Sequence, residues 1–203
     1  MRTTALTKDE VLAPLAALRT REVVVTTMGI VRPWARYSSS ELDFASADSA
    51  MGHAADFALG LALAQPSRKV LCLNGDGSML MSLGTLVLAA EQAARNFFLF
   101  VIQNATYELT GNQPVPGAAA VDYVALARGA GVPVAEGFDD PVAYGRRLPA
   151  ILAAPGPAVV VVRTEPGDEG ALARGPEQPV AYLRPSLAES ARRLRAALGL
   201  PPD

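Results

Sequence analysis

Three apolar runs constrain the fold of this chain more than any other feature of it. They are Lys69-Val70-Leu71-Cys72-Leu73, Phe97-Phe98-Leu99-Phe100-Val101-Ile102 and Ala158-Val159-Val160-Val161-Val162. A strand with one wet face alternates apolar and polar side chains, whereas a continuous apolar strand must be covered on both faces. Helix-length stretches separate the runs. The pattern therefore predicts an α/β fold: a three-layer, doubly wound, mostly parallel sheet with helices on both faces. In such sheets ligands bind beyond the carboxyl ends of the strands.

The remaining pattern fills in around these runs. Helices are expected over 8–18 (Thr7 as N-cap), 52–64 (stopped by Gln65-Pro66), 121–129, 141–153 and 186–198. Strands are expected over 22–26, 42–46, 70–74, 97–102, 132–135 and 158–162. Residues 28–41 read as irregular, 77–94 as a turn followed by a helix, 105–118 as loop and 167–179 as a polar loop. At 203 residues, a single domain over 1–203 is expected, with 165–203 as a C-terminal loop-and-helix appendage.

Net charge is −2 with half of the residues hydrophobic, which gives no electrostatic basis for nucleic-acid binding. The apolar stretch 83–102 is interrupted by Glu91, Gln92, Arg95 and Asn96, against a membrane span, and the N-terminus carries no apolar leader core. Cys72 is the single cysteine and sits in an apolar run, so a buried, inert thiol is expected, in keeping with a cytoplasmic location.

Candidate chemistry gathers at two strand ends. Asn74-Gly75-Asp76-Gly77-Ser78 follows one apolar run, and Gln103-Asn104 follows another, 28 residues after the aspartate. Magnesium prefers octahedral oxygen coordination, usually from one or two carboxylates and substrate phosphates. Asp76 can give a carboxylate oxygen, Asn104 a carboxamide oxygen, and the Ala105-Thr106 backbone a carbonyl. The flanking glycines let a diphosphate approach the backbone, and the N–H groups opening the next helix face that anion. A Gly-Asp-Gly tripeptide alone reads first as a tight strand-to-helix turn with a capping aspartate. Asn104 at a second strand end is harder to explain as a turn.

Gly75-Asp76-Gly77-Ser78, a helix, a strand and Gln103-Asn104 together resemble the thiamine diphosphate signature that begins GDG and ends NN, with Gln in place of the first Asn. Ser49-Ala50-Met51-Gly52-His53-Ala54, followed by Ala58-Leu59-Gly60-Leu61-Ala62-Leu63-Ala64, is similar to a segment of sulfopyruvate and phosphonopyruvate decarboxylases. So is Thr110-Gly111-Asn112-Gln113-Pro114, and the resemblance extends over roughly residues 8–164.

The resemblance implies a thiamine diphosphate-binding fold of the diphosphate-binding type, with thiamine diphosphate and Mg²⁺ as cofactors. Asp76, Asn104 and the Thr106 carbonyl would hold the metal. Gly75, Gly77 and Ser78 would contact the diphosphate. Met51 would prop the cofactor in its bent form, and the Ser49 carbonyl would meet the aminopyrimidine. Gly29, Ala50, Gly52 and Tyr107 complete the implied cofactor site, and His53, Thr110 and Gln113 are the implied catalytic residues. The thiazolium ring would serve as electron sink for decarboxylation of a 2-oxo acid.

Enzymes of this type also need a pyrimidine-binding domain that supplies an activating glutamate, and the stretch before Gly75 is too short for one. The resemblance therefore implies a separate alpha-type subunit, in an α₂β₂ assembly. Carboligation to an acyloin, a non-catalytic regulatory subunit and a flavodoxin- or Rossmann-like nucleotide binder are the competing readings. The last is disfavoured by the lack of a G-x-G-x-x-G after a strand.

One segment departs from the family pattern: Gly29-Ile30-Val31-Arg32-Pro33-Trp34-Ala35-Arg36. Arg32 and Arg36 read as solvated arginines, with contact to an anionic substrate as the alternative, and Trp34 reads as an interface anchor. Met79 and Met81 read as helix packing or subunit contact. Arg192, Arg193 and Arg195 read as the solvated face of an amphipathic helix.

Overall fold

The computed structural model describes residues 5–46, 51–118 and 120–201. Six parallel strands form the central sheet in the order β2-β1-β3-β4-β8-β7: β1 Val23–Thr27, β2 Asp43–Ser46, β3 Val70–Gly75, β4 Phe97–Gln103, β7 Val134–Phe138 and β8 Ala158–Arg163. The chain runs from β1 out to β2, returns to β3 and β4 on the other side of β1, then lays β7 at the far edge and β8 between β4 and β7. The strand order thus reverses between β1 and β3, and the expected doubly wound architecture is the observed one.

The continuous apolar strands divide their side chains between two cores. Cys72, Leu99, Val101 and Val159 point to one face, and Leu71, Leu73, Phe98, Phe100 and Val160 point to the other. Helices α3 (Ala54–Ala64), α5 (Gly84–Glu91), α6 (Tyr123–Gly129) and α8 (Leu187–Ala197) supply the first core. Helices α1 (Lys8–Leu18), α2 (Met28–Ala35) and α7 (Pro141–Ala153) supply the second through Leu12, Leu15, Trp34, Tyr144 and Leu148. Thr7 caps α1 in a capping box with Glu10. Cys72 is fully buried, and burial pushes its thiol well above the ordinary range.

The structure corrects several expectations. The segment read as irregular after β1 begins with the α2 helix, despite Pro33 in its interior. Its apolar face, Ile30, Val31 and Trp34, is buried, and that burial outweighs the backbone hydrogen bond that proline removes. Trp34 is therefore no interface anchor: it is fully buried, and its Nε1–H donates to Asp43 Oδ1 at 3.0 Å. Asp43 is also held by Arg19 at 2.6 Å and Ser38 at 2.5 Å.

The single helix expected over 77–94 is two, α4 (Asp76–Met81) and α5, broken at Ser82, whose hydroxyl donates to the Gly52 carbonyl at 2.5 Å. The loop over 105–118 contains a small hairpin, β5 (Thr106–Tyr107) against β6 (Gln113–Pro114). Positive φ at Gly111 and Asn112 makes its turn.

Beyond Thr164 the chain runs back over the domain as a strap. Arg32, expected in solvent, donates to the carbonyls of Glu169 and Ala171. Arg174 bonds the Ala45 carbonyl at 2.5 Å, Tyr182 the Val31 carbonyl at 2.6 Å, and Leu183 and Leu194 are buried. Arg36 stays exposed and pairs with Asp9 at 3.0 Å, and the exposed Arg192 and Arg193 pair with Glu189. Among the described residues, no helix is long and apolar enough to cross a membrane.

Candidate functional site

The carboxyl ends of β1, β3 and β4 open into a cavity of about 310 Å³. Its wall includes Gly29, Met51, Gly52, Gly75, Asp76, Gly77, Ser78, Asn104, Thr106, Tyr107 and Thr110. Residues spread over more than eighty positions of sequence thus meet at the edge where parallel sheets bind ligands. Ser49 and Ala50 lie outside the described residues.

Asp76 is the first residue of α4, and Gly75 before it offers no side-chain cap to the helix start. The Asp76 carboxylate is buried, 2% exposed. Oδ1 accepts the Gly77 N–H at 2.9 Å and Oδ2 the Ala105 N–H at 2.8 Å. Burial raises its pKa above the ordinary aspartate range. The Ala105 and Gly77 N–H groups oppose that rise, and the charge of Glu108 adds to it. Tyr123 donates its phenol to the Asp76 carbonyl at 2.9 Å, fixing the turn from the α6 side.

Asn104 follows the end of β4. Its Oδ1 accepts the Thr106 N–H at 3.0 Å, across an Ala105 held at φ +64°. A non-glycine residue in that region is strained, and such strain clusters where function over-determines the backbone. Met79 is buried in the core, and Met81, 46% exposed, stands on the rim beside Met51 at 56%. Gly52 has φ +85°, and a Cβ there would fall 2.6 Å from the Met81 Cβ, so the Met51–Gly52 turn is built around a missing side chain.

The three implied catalytic residues are placed differently. Thr110 lines the cavity, and its hydroxyl donates to Gln113 Oε1 at 2.7 Å. Gln113 lies outside the wall and turns its amide back on the Thr110 carbonyl. His53 also lies outside the wall, 56% exposed, with Nδ1 2.5 Å from Asp56 Oδ2.

Sequence reasoning missed Glu108 and Lys8. Glu108 lines the cavity and is buried against Lys8, one hundred residues away in sequence. Glu108 is a charged residue within the hairpin, which is a faint local signal; Lys8 carries none.

The residues present fit a magnesium–diphosphate group. Among the described residues, the buried Asp76 carboxylate is bonded to backbone N–H groups and has no balancing cation in contact. The Ser78 hydroxyl is buried with no hydrogen-bond partner among the described residues. The donors are hard oxygens, as magnesium prefers. Among the described residues, no three His, Cys, Asp or Glu side chains cluster, so any metal here would take its ligands from one carboxylate, a carboxamide and backbone oxygens.

Residues 26–162 match the family described as thiamine pyrophosphate enzyme, C-terminal TPP binding domain. A phosphonopyruvate decarboxylase of Streptomyces viridochromogenes is 36% identical over 156 residues, which is 75% of this chain and 36% of that protein. The sulfopyruvate decarboxylase subunit beta of Methanothermobacter thermautotrophicus is 39% identical over 118 residues, 58% of this chain and 60% of that one. The chain thus spans between about a third and three-fifths of these relatives. The thiamine diphosphate-dependent 4-hydroxybenzoylformate decarboxylase of Rhodococcus jostii RHA1 superposes with a TM-score of 0.68 at 24% identity, over 82% of this chain and 34% of that one, a likeness of fold.

Proposed function

This chain belongs to the thiamine pyrophosphate enzymes through their C-terminal TPP-binding domain, and from that premise we propose that it is the cofactor- and Mg²⁺-binding subunit of a two-component 2-oxo acid decarboxylase. The observation that carries the reading is the buried Asp76 carboxylate at the cavity, with no balancing cation in contact among the described residues and an uncapped helix start beside it.

The Asp76 carboxylate, the Asn104 carboxamide oxygen and the Thr106 carbonyl would hold Mg²⁺. Gly75, Gly77 and Ser78 would receive the diphosphate. Met51 would support the cofactor from the rim, with Gly29, Gly52 and Tyr107 forming the remaining wall and Ser49 and Ala50 next to it in sequence. Thr110 would face the substrate, held in orientation by its bond to Gln113. His53, on the outer side, would act on a substrate or partner that reaches the rim. When bound, thiamine diphosphate supplies the electron sink for cleaving the carboxylate from a 2-oxo acid. The chain's own contribution is to bind, orient and balance charge.

A separate pyrimidine-binding, alpha-type subunit would close the site and supply an activating glutamate, in an α₂β₂ assembly. Two half-exposed methionines at the cavity rim support a covering partner, because an apolar rim gains by burial. So does one relative being a subunit beta, that of the Methanothermobacter sulfopyruvate decarboxylase. The whole chain 1–203 would act as one diphosphate-binding domain.

Calorimetry should show thiamine diphosphate binding that requires Mg²⁺ and is lost in Asp76→Ala. Decarboxylation of 2-oxo acids should require both this chain and a pyrimidine-binding protein encoded beside it. Turnover by the purified chain alone would overturn the two-component reading, and an acyloin as main product would replace decarboxylation by carboligation.

A further inference from the structure

A buried ion pair remains unused by the chemistry above. Lys8 Nζ pairs with Glu108 Oε2, bonds the Gly29 carbonyl at 3.1 Å and stands 3.7 Å from Glu169 Oε1. The two paired side chains are 7% and 3% exposed. The Gly29 carbonyl is available to Lys8 because Pro33, four residues on in α2, has no N–H to donate to it.

The other carboxylate oxygen of Glu108 accepts the Gly167 N–H from the strap, and Asn112 Nδ2 donates to the Gly167 carbonyl at 3.1 Å. Two hairpin residues therefore hold both backbone polar groups of Gly167 on the strap. A Cβ on Gly167 would lie 2.9 Å from Glu108 Oε1 and 3.0 Å from Lys8 Nζ, so the strap comes this close only because residue 167 has no side chain.

Burying such a pair adds little net stability, and its best-attested use is to select one arrangement over others. Here it joins the start of α1, the first turn of α2, the hairpin and the strap. Two of the joined elements, α2 through Gly29 and the hairpin through Thr106 and Tyr107, line the same cavity as Asp76.

We propose that Lys8, Glu108 and Gly167 form a clasp that holds the hairpin and Gly29 against the cavity, and that this clasp sets the affinity for the Mg²⁺–diphosphate group. Lys8 and Glu108 act as positioning residues and touch neither metal nor phosphate. The proposal rests on the cofactor reading above and adds to it a role for the strap, which lies beyond the matched family segment.

The test compares the full-length chain with Asn112→Asp, Gly167→Ala, Lys8→Met and Lys8→Arg. Asn112 is exposed, so its variant keeps the fold even if Lys8→Met does not. Asn112→Asp disturbs the clasp electrostatically and Gly167→Ala sterically. In the ligand-free chain, both should speed amide hydrogen exchange at residues 106–113 and leave β3 and β4 at wild-type rates. Calorimetric affinity for thiamine diphosphate with Mg²⁺ should fall on the order of 10- to 100-fold, as for other groups that support a metal site. Lys8→Met should lose at least as much, and Lys8→Arg should recover part of it.

Unchanged hairpin exchange in both Asn112→Asp and Gly167→Ala would sink the clasp. A loosened hairpin with unchanged affinity would sink its role. If the wild type binds no cofactor, the cofactor reading and that role fail together, and hydrogen exchange still decides whether the clasp orders the hairpin.

Discussion

The ring of Tyr107 lies against the backbone of Gly77, so that a Cβ on Gly77 would sit 2.3 Å from the tyrosine Cε1. The second glycine of the Gly-Asp-Gly turn is thus required by a side chain from the hairpin as well as by any approaching ligand. Gly77→Ala should destabilise the chain by about 1–3 kcal/mol through overpacking. Adding Tyr107→Ala should return much of that loss, because the two residues are in contact and their effects should couple. Urea unfolding of the two single variants and the double variant checks it, and simple additivity would refute the contact.

Trp34 is the only tryptophan and is fully buried, so its fluorescence reports on the core. Emission should be blue-shifted in the isolated chain and stay so when a partner binds. Trp34→Phe should cost about 1.5–3 kcal/mol, the value of a hydrogen bond to a charged group, since it removes the bond to Asp43. A red-shifted emission in the folded chain, moving blue on assembly, would restore the interface role that burial excludes.

Burial holds the Asp76 proton more tightly in the native state than in the unfolded chain. Native stability of the ligand-free chain should therefore fall as the pH rises from the ordinary aspartate range through the raised native value, and the penalty is complete above it. Denaturant unfolding of wild type and Asp76→Asn across a pH series isolates this group. The wild type should lose stability relative to the variant over that window, and a flat difference would show that Asp76 does not carry the effect.

Cys72 is buried at the centre of β3, with its thiol pushed well above the ordinary range. Thiol reagents should react with it only as fast as the domain opens, and the rate should follow added denaturant. Rapid labelling of the native chain would contradict its placement.

Much of the fold was legible because local composition and tertiary requirement agree. The valine run of β8 and the phenylalanine run of β4 could satisfy their apolar faces only inside a covered sheet, and both lie there. Asp76 and Asn104 were legible as a pair because each follows such a run, and parallel strands bring their ends to one edge. The α2 helix was not legible, because glycine and Pro33 argue locally against it and only the burial of Ile30 and Trp34 on the sheet outweighs them.

The layered α/β architecture and the meeting of Asp76 and Asn104 at one sheet edge follow from the order of residues along the chain. Apolar periodicity and turn chemistry are local properties, and they survive without knowledge of neighbours. That Trp34 is core, that Arg32 and Gly167 fasten a strap, and that Lys8 reaches Glu108 across one hundred residues follow from the folded arrangement alone. Whether a charge is solvated or paired depends on what the fold carries to within a few ångströms of it, and no spacing along the chain encodes that distance.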